Sequence, residues 1–305
     1  MEIIDFEFKR ERKLGEFIQD FINLLKIIYR HLVSVLFQLL AIPISGIVLM
    51  GYYLTTQLSA NADYSSGEYV RLIVLCVILA LGILLISLFA FGFSIEYFIL
   101  LRDKRTLDFS SKDVFKSFTS AIKKYLSFFG AMLVVGVLIS VPVALAMLLS
   151  ALIPFVGSFA IGIVFSIVGL WFFSAFMLYR EGYADLMDCF GAGFSLIKKK
   201  IIEYGAASYI VSFIFQSLMG VMTIIPAVII FLIGYNFVGF NNDFFESGIG
   251  KAIGTIGGLV VTILFIVYYM LAVISYGIIY ETAKELRYGE NIFDRIGRLG
   301  RGANA

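Results

Sequence analysis

Long apolar tracts alternate with short charged segments along the whole chain. A helix rises about 1.5 Å per residue and the hydrocarbon core of a bilayer is about 30 Å thick, so one crossing takes about 20 mostly apolar residues. On that measure the pattern predicts an all-α membrane protein with six transmembrane helices, at about Leu32–Thr56, Val70–Leu101, Leu126–Leu152, Phe155–Tyr179, Gly205–Phe240 and Ile253–Tyr280. The tract from Tyr125 to Tyr179 holds no Asp, Glu, Lys, Arg or His and is too long for one crossing. Ile153-Pro154-Phe155-Val156-Gly157 supplies the break, since proline disrupts helix hydrogen bonding and glycine permits a tight turn. The uncharged tract from Tyr204 to Asn242 is read as one span kinked at Gly220 or Pro226, with a partly re-entrant helix as the alternative.

Three segments preceding the odd spans align without gaps on Phe21, Phe115 and Phe190. Apolar residues recur three or four apart in each: Phe17, Phe21, Leu24, Leu25 and Ile28; Phe115, Phe118, Ile122 and Tyr125; Leu186, Phe190, Phe194, Ile197 and Ile201. That spacing predicts amphipathic helices, and each carries a basic cluster, at Lys26/Arg30, Lys123/Lys124 and Lys198 to Lys200. A helix with one apolar face beside a span suits the interface plane, with lysines at headgroups and phenylalanines in the acyl chains. The odd spans carry Pro43, Pro142 and Pro226, and the even spans end in similar stretches, Ser94 to Ile99, Ser174 to Tyr179 and Ser275 to Tyr280. The expected architecture is therefore a single polytopic domain, 1–305, with three cytoplasmic interfacial helices in a threefold pseudo-repeat. Its units are about 14–101, 110–181 and 183–284, followed by a flexible tail at about 289–305.

Composition reinforces the membrane reading: 60% of the 305 residues are hydrophobic and only 15% charged, with a mean hydropathy of +0.95. All of the 24 Lys and Arg except Arg71 and Lys251 fall on one side of the predicted topology. The positive-inside rule makes that side cytoplasmic, so both termini are expected in the cytoplasm of a multi-pass protein of the bacterial inner membrane. Acidic residues stand beside the basic ones there, which reads as topology and headgroup anchoring and sets nucleic acid aside as a partner. The mixed charges of Met1 to Lys13 are unlike a cleaved signal peptide, so the N-terminus is expected to stay on the mature protein.

Short amphipathic helix, basic cluster and span, with an acidic residue just before the next amphipathic helix (Tyr179-Arg180-Glu181-Gly182-Tyr183), form a pattern that resembles the membrane domain attached to some glycerophosphodiester phosphodiesterases, and its stand-alone bacterial relatives. The resemblance covers most of the chain as architecture and carries no catalytic residue across. It implies that hydrolysis in the fusion proteins belongs to a separate soluble domain, which this chain does not contain.

Candidate chemistry is sparse. Cys76 and Cys189 are too few for a disulfide framework or metal site, no phosphate-binding Walker segment occurs, and His31 is the only histidine and is expected at the interface. No catalytic, cofactor-binding or metal residue is assigned. Glu96 is the one acid inside a predicted span, a functional candidate by position. It is read first as a boundary residue pairing with Arg102 or water, and second as a buried ion or proton site. Glu181 and Glu281 end spans four and six at a similar depth, either converging with Glu96 or pairing with nearby bases. Gln38, Gln216 and Asn236 are expected to hydrogen-bond between helices, and the small-residue stripes Gly250/Gly254/Gly258/Thr262 and Ser158/Gly162/Ser166/Ser174 to pack the monomer. Lys26, Arg30, Lys123, Lys124, Lys198, Lys199 and Lys200 are the candidate lipid-headgroup contacts. The expected function is non-enzymatic: a scaffold or membrane subunit contacting anionic lipid and a partner membrane protein or second copy. The alternative is a transporter or channel for a lipid-like or small amphipathic solute.

Overall fold

The computed structural model describes residues 4–57, 65–153, 156–237 and 247–289. The expected break at Pro154-Phe155, the end of the fifth span beyond Phe237, most of the outer loops, and the tail with Arg295, Arg298 and Arg301 lie outside the described residues, as does the side chain of Asn236.

Helices account for nearly all of the described chain, and no strand occurs among the described residues. They are α1 (Leu14–Gln57), α2 (Ser66–Lys104), α3 (Ser111–Ala151), α4 (Gly157–Glu181), α5 (Asp188–Ile197), a 3-10 turn (Lys198–Lys200), α6 (Ile201–Phe237) and α7 (Gly248–Tyr288). Capping side chains set several starts. The Ser65 and Ser110 backbone N–H groups donate to Glu68 at 2.8 Å and to Asp113 at 2.7 Å, each carboxylate sitting three residues into its helix. Helix α4 stops at Gly182, whose φ of 83° lies in the left-handed region. There the Gly182 N–H donates to Tyr179 O at 3.2 Å and the Tyr183 N–H to Leu178 O at 2.9 Å, satisfying the last carbonyls of the helix.

Six helices are long and apolar enough to cross a membrane, the fifth running from Asp188 through α5 into α6. Between 201 and 237 the backbone of α6 is continuous helix, so the described part of the uncharged tract, 204–237, does not fold back on itself. In α3, Leu133, Val137, Leu138, Val141 and Leu145 are all more than half exposed. Such an apolar belt is untenable in water and natural in lipid.

Two of the three short helices expected before the odd spans are not separate elements. Residues 14–32 and 111–126 are the opening turns of α1 and α3, which run on for 44 and 41 residues. A 44-residue helix is about 66 Å long, roughly twice the hydrocarbon thickness. No glycine or proline interrupts the junction 26–36. The apolar stripe of the first segment is moreover occupied by protein: Phe17, Phe21, Leu24, Ile28 and Leu32 are at most 3% exposed. Only the third segment, α5, is a distinct helix.

The chain forms two compact units. One comprises residues 1–32, 94–213 and 271–305. Its core is aromatic and aliphatic, with Phe8, Phe21, Tyr97, Phe98, Phe173 and Tyr280 all fully buried. Close helix approach depends on small residues: a Cβ on Gly193 of α5 would lie 2.8 Å from the Ala175 backbone nitrogen of α4, and one on Gly277 of α7 would lie 2.5 Å from the Phe98 ring of α2. The Gly162 position in the fourth span is likewise covered, by the Tyr209 ring. The other unit comprises residues 33–93 and 214–270. There Leu36, Leu40, Ala90, Ile266 and Met270 are buried, and Gln216 Nε2 donates to Tyr268 Oη at 3.0 Å, an interhelical bond of the kind expected for that amide. Gly254 and Gly258 face open space, so that stripe does not pack the monomer as expected.

Candidate functional site: an ion-pair network beside a basic cavity

Every element of the candidate site belongs to the unit built from 1–32, 94–213 and 271–305. Glu96 is completely buried. Its carboxylate accepts a forked pair from Arg180, Nε to Oε1 at 3.0 Å and Nη2 to Oε2 at 3.2 Å, the planar geometry that makes arginine–carboxylate pairs strong. Ser117 Oγ donates to Oε2 at 2.6 Å and Tyr125 Oη to Oε1 at 2.9 Å. The expected partner, Arg102, is the wrong one. Six residues along a helix place it some 240° around from Glu96, on another face, whereas partners on one face are three or four apart.

Arg102 instead joins the other two acids. Its Nη1 donates to Glu181 Oε1 and, at 2.6 Å, to Glu281 Oε1, while Nε reaches Asp103 at 2.9 Å. Tyr280 Oη and Lys284 Nζ donate to Glu181 Oε2 at 2.8 and 3.0 Å. The Lys284 ammonium also sits over the Tyr183 ring, 4.4 Å from its centroid. Glu281 is fully buried, and its Oε2 has no hydrogen-bond partner among the described residues. The three acids therefore occupy two neighbouring clusters linked by consecutive residues, Arg180 and Glu181, rather than one convergent centre. Charges in each cluster are largely compensated, which is the condition for burying them.

Of the expected headgroup contacts, Lys26, Arg30, Lys123, Lys198 and Lys199 are exposed. Lys124 and Lys200 are committed within the protein. Lys124 Nζ donates to Tyr179 O at 3.2 Å and Arg180 O at 3.0 Å, placing a cation on the C-terminal carbonyls of α4, and Lys200 pairs with Glu11 at 3.0 Å. His31 is part of a packed set and not a free interfacial group: its Nε2 lies 2.9 Å from Phe109 O and Nδ1 3.0 Å from Tyr97 Oη. A carbonyl only accepts, so Nε2 carries the proton. Cys76 is exposed and Cys189 buried, and both are free thiols.

The N-terminal segment is the part of the site that hydropathy alone passes over. Ile4, Phe6 and Phe8 are buried in alternation with Asp5, Glu7 and Lys9. The Ile4 N–H donates to Arg105 O at 2.8 Å, and the Phe8 ring packs edge-on against Phe98. Arg12, 3% exposed, ties this segment down: Nε pairs with Asp20 at 2.8 Å, Nη1 donates to Phe8 O, Arg10 O and Thr282 Oγ1, each at 3.1 Å, and Nη2 donates to Glu7 O. Burial pulls the Arg12 guanidinium below its usual range, opposed by the hydrogen bond and charge of Asp20. The signal was present as strict apolar–polar alternation, Ile4-Asp5-Phe6-Glu7-Phe8-Lys9, the mark of an extended, half-buried segment.

Beside the Arg102–Glu181–Lys284 cluster opens a cavity of about 560 Å³. Five basic side chains line it, Lys9, Arg102, Arg105, Arg180 and Lys284, against two carboxylates, Asp103 and Glu181. Among the described residues no group of three or more His, Cys, Asp or Glu is placed to hold a metal ion.

Compared with known proteins, the chain matches no family model, no curated protein and no solved structure. What the fold itself defines is a class: six helices able to span a membrane make this a multi-pass α-helical membrane protein.

Proposed function

We propose that this chain is a non-enzymatic membrane subunit or scaffold of the bacterial inner membrane, holding anionic lipid along a basic margin and docking a partner membrane protein or a second copy. The observation that carries the reading is the set of exposed cations, Lys26, Lys123, Lys198 and Lys199, standing without ion pairs among the described residues next to the apolar spans. Each such charge near an anionic surface contributes about 1 kcal/mol of attraction. The same margin supports the topology with both termini cytoplasmic. The threefold pseudo-repeat is supported by its aligned serines, Ser94, Ser174 and Ser275, each at most 1% exposed. In this reading the buried pairs of Glu96, Glu181 and Glu281 lock the helices in place rather than carry protons. The architectural resemblance to glycerophosphodiester phosphodiesterase membrane domains agrees with an accessory role.

Native mass spectrometry of the full chain, titrated with phosphatidylglycerol or phosphatidylcholine, tests this. A several-fold preference for the anionic lipid that disappears in K26Q/K123Q/K198Q/K199Q is expected, and equal retention of both lipids by the unmodified chain refutes it. A transporter for a small amphipathic solute is the second reading, favoured by the cavity. It requires flux in reconstituted vesicles that falls in E96Q.

A further inference from the structure

Backbone outside regular helix cannot face acyl chains, because its N–H and C=O groups find no partners there. Residues 4–13, 105–110 and 182–187 of the unit built from 1–32, 94–213 and 271–305 are non-helical, and each stretch shows exposed charges, among them Asp5 and Arg10, Arg105 and Asp108, and Asp185. These stretches fix the level of the helices they touch. The Phe8 ring centroid lies 5.9 Å from that of Phe98 on α2, Phe109 O lies 2.9 Å from His31 Nε2 on α1, and Arg12 Nη1 lies 3.1 Å from Thr282 Oγ1 on α7. The apolar helix ends at this level are covered by protein: Tyr97, Phe98 and Leu101 of α2 and Ile278, Ile279 and Tyr280 of α7 are at most 1% exposed. Hydropathy counts them into spans two and six, yet their apolar character serves a protein core. The edge of the lipid is marked on α4, α6 and α3. Gly193 packs on Ala175 and Gly205 on Ile167, so the exposed Lys198 and Lys199 between them lie level with Trp171, and indole rings favour the headgroup layer. Exposed apolar side chains resume just beyond the exposed lysines, at Ile202 after Lys199 and at Leu126 after Lys123.

We infer that the hydrocarbon layer ends on this side at about His31, Phe98 and Gly277, and that the helix ends beyond it form a body outside the bilayer whose cavity takes a small polar solute from water rather than a lipid chain. All three non-helical stretches contribute to the wall of that cavity, through Phe8, Arg105 and Tyr183. Seven of its ten lining residues are charged, which disfavours an acyl chain as occupant. Its volume of about 560 Å³ falls within the usual range for small-ligand sites. The inference requires only that the chain span a bilayer, and it rests on neither the scaffold nor the transporter reading.

Nitroxide labels on I99C, M187C and L138C of the full chain in phosphatidylcholine vesicles test this by power-saturation EPR. The background is C76S, with Cys189 left in place because it is buried. Relaxation by a neutral nickel chelate, confined to water, is compared with relaxation by oxygen, which concentrates among acyl chains. Oxygen should dominate at 138, a side chain 71% exposed in the apolar belt of α3. The preference should reverse toward nickel at 187, which is 72% exposed, and at 99, in the cavity wall. Oxygen-dominated relaxation at 99 overturns the water-filled cavity, and the same result at 187 overturns the placing of the lipid edge. Should I99C misfold, oxidation of Tyr183 by hydroxyl radicals generated in water reads the same wall in the unmodified chain, and protection of Tyr183 overturns the inference. Loss of the anionic-lipid preference in K26Q/K123Q/K198Q/K199Q moves none of these readouts, so the two tests fail separately.

Discussion

Glu96→Gln removes a charge and one acceptor from a completely buried position. The carboxylate accepts bonds of 2.6, 2.9, 3.0 and 3.2 Å from Ser117, Tyr125 and Arg180. A carboxamide offers one acceptor oxygen and turns an NH2 group toward the remaining donors, so about half of these bonds are lost. Hydrogen bonds to charged groups are worth about 1.5–3 kcal/mol and neutral ones about 0.5–1.5 kcal/mol. Arg180, 23% exposed, recovers part of its hydration. The net destabilisation expected for E96Q is therefore about 2–4 kcal/mol. R180M leaves the carboxylate buried and unpaired, the more damaging change, at about 3–5 kcal/mol. The double variant should cost less than the two together by about 2 kcal/mol or more, because the second substitution removes a group the first has already stranded. Unfolding of the full chain in mixed micelles, followed by fluorescence of its single tryptophan, Trp171, measures all four corners of the cycle. Costs that add to within about 0.5 kcal/mol would show that Glu96 and Arg180 are not coupled and that the buried pair is not part of what holds α2 to α4.

Gly182→Ala should destabilise by about 1 kcal/mol and Gly182→Asn by less, since φ there is 83° with nothing near the added Cβ, and equal melting of all three would remove the left-handed cap. Gly193→Val should cost about 1–3 kcal/mol by driving α5 off Ala175, with a wild-type melting midpoint as the refuting result. Arg12→Met should speed amide exchange at residues 4–12. In the intact protein, burial lowers the Arg12 value, so its desolvation penalty is present while the group is charged and is relieved only at strongly alkaline pH; opening of that segment should thus not titrate through Arg12 between about pH 6 and 9. The single histidine gives an unambiguous nitrogen spectrum: His31 should show its proton on Nε2, and an Nδ1–H tautomer would contradict the bond to Phe109 O.

Six helices long and apolar enough to cross a membrane, and the break inside the uncharged stretch from Tyr125 to Tyr179, are written in the order of residues, because hydropathy and helical period are local properties that each tract carries by itself. Glu96, Glu181 and Glu281 could be picked out the same way, as acids at the ends of apolar runs. Their partners could not. Glu96 meets Arg180 at a separation of 84 residues, Arg102 meets Glu281 at 179, and Arg12 meets Thr282 at 270. Such pairings depend on how far each helix is rotated about its axis, which the order of residues within one helix does not record and which close approaches at positions such as Gly193 and Gly277 constrain. The basic margin reads differently for the same reason: from the sequence alone Lys123 and Lys124 are equivalent, yet one step around a helix leaves the first in the open and turns the second onto the carbonyls of α4. The sequence by itself determined which segments belong in lipid, through the free energy of removing apolar surface from water. Only tertiary structure decided which charges are neutralised and which remain, because an ion pair requires two side chains to arrive at one place from distant parts of the chain.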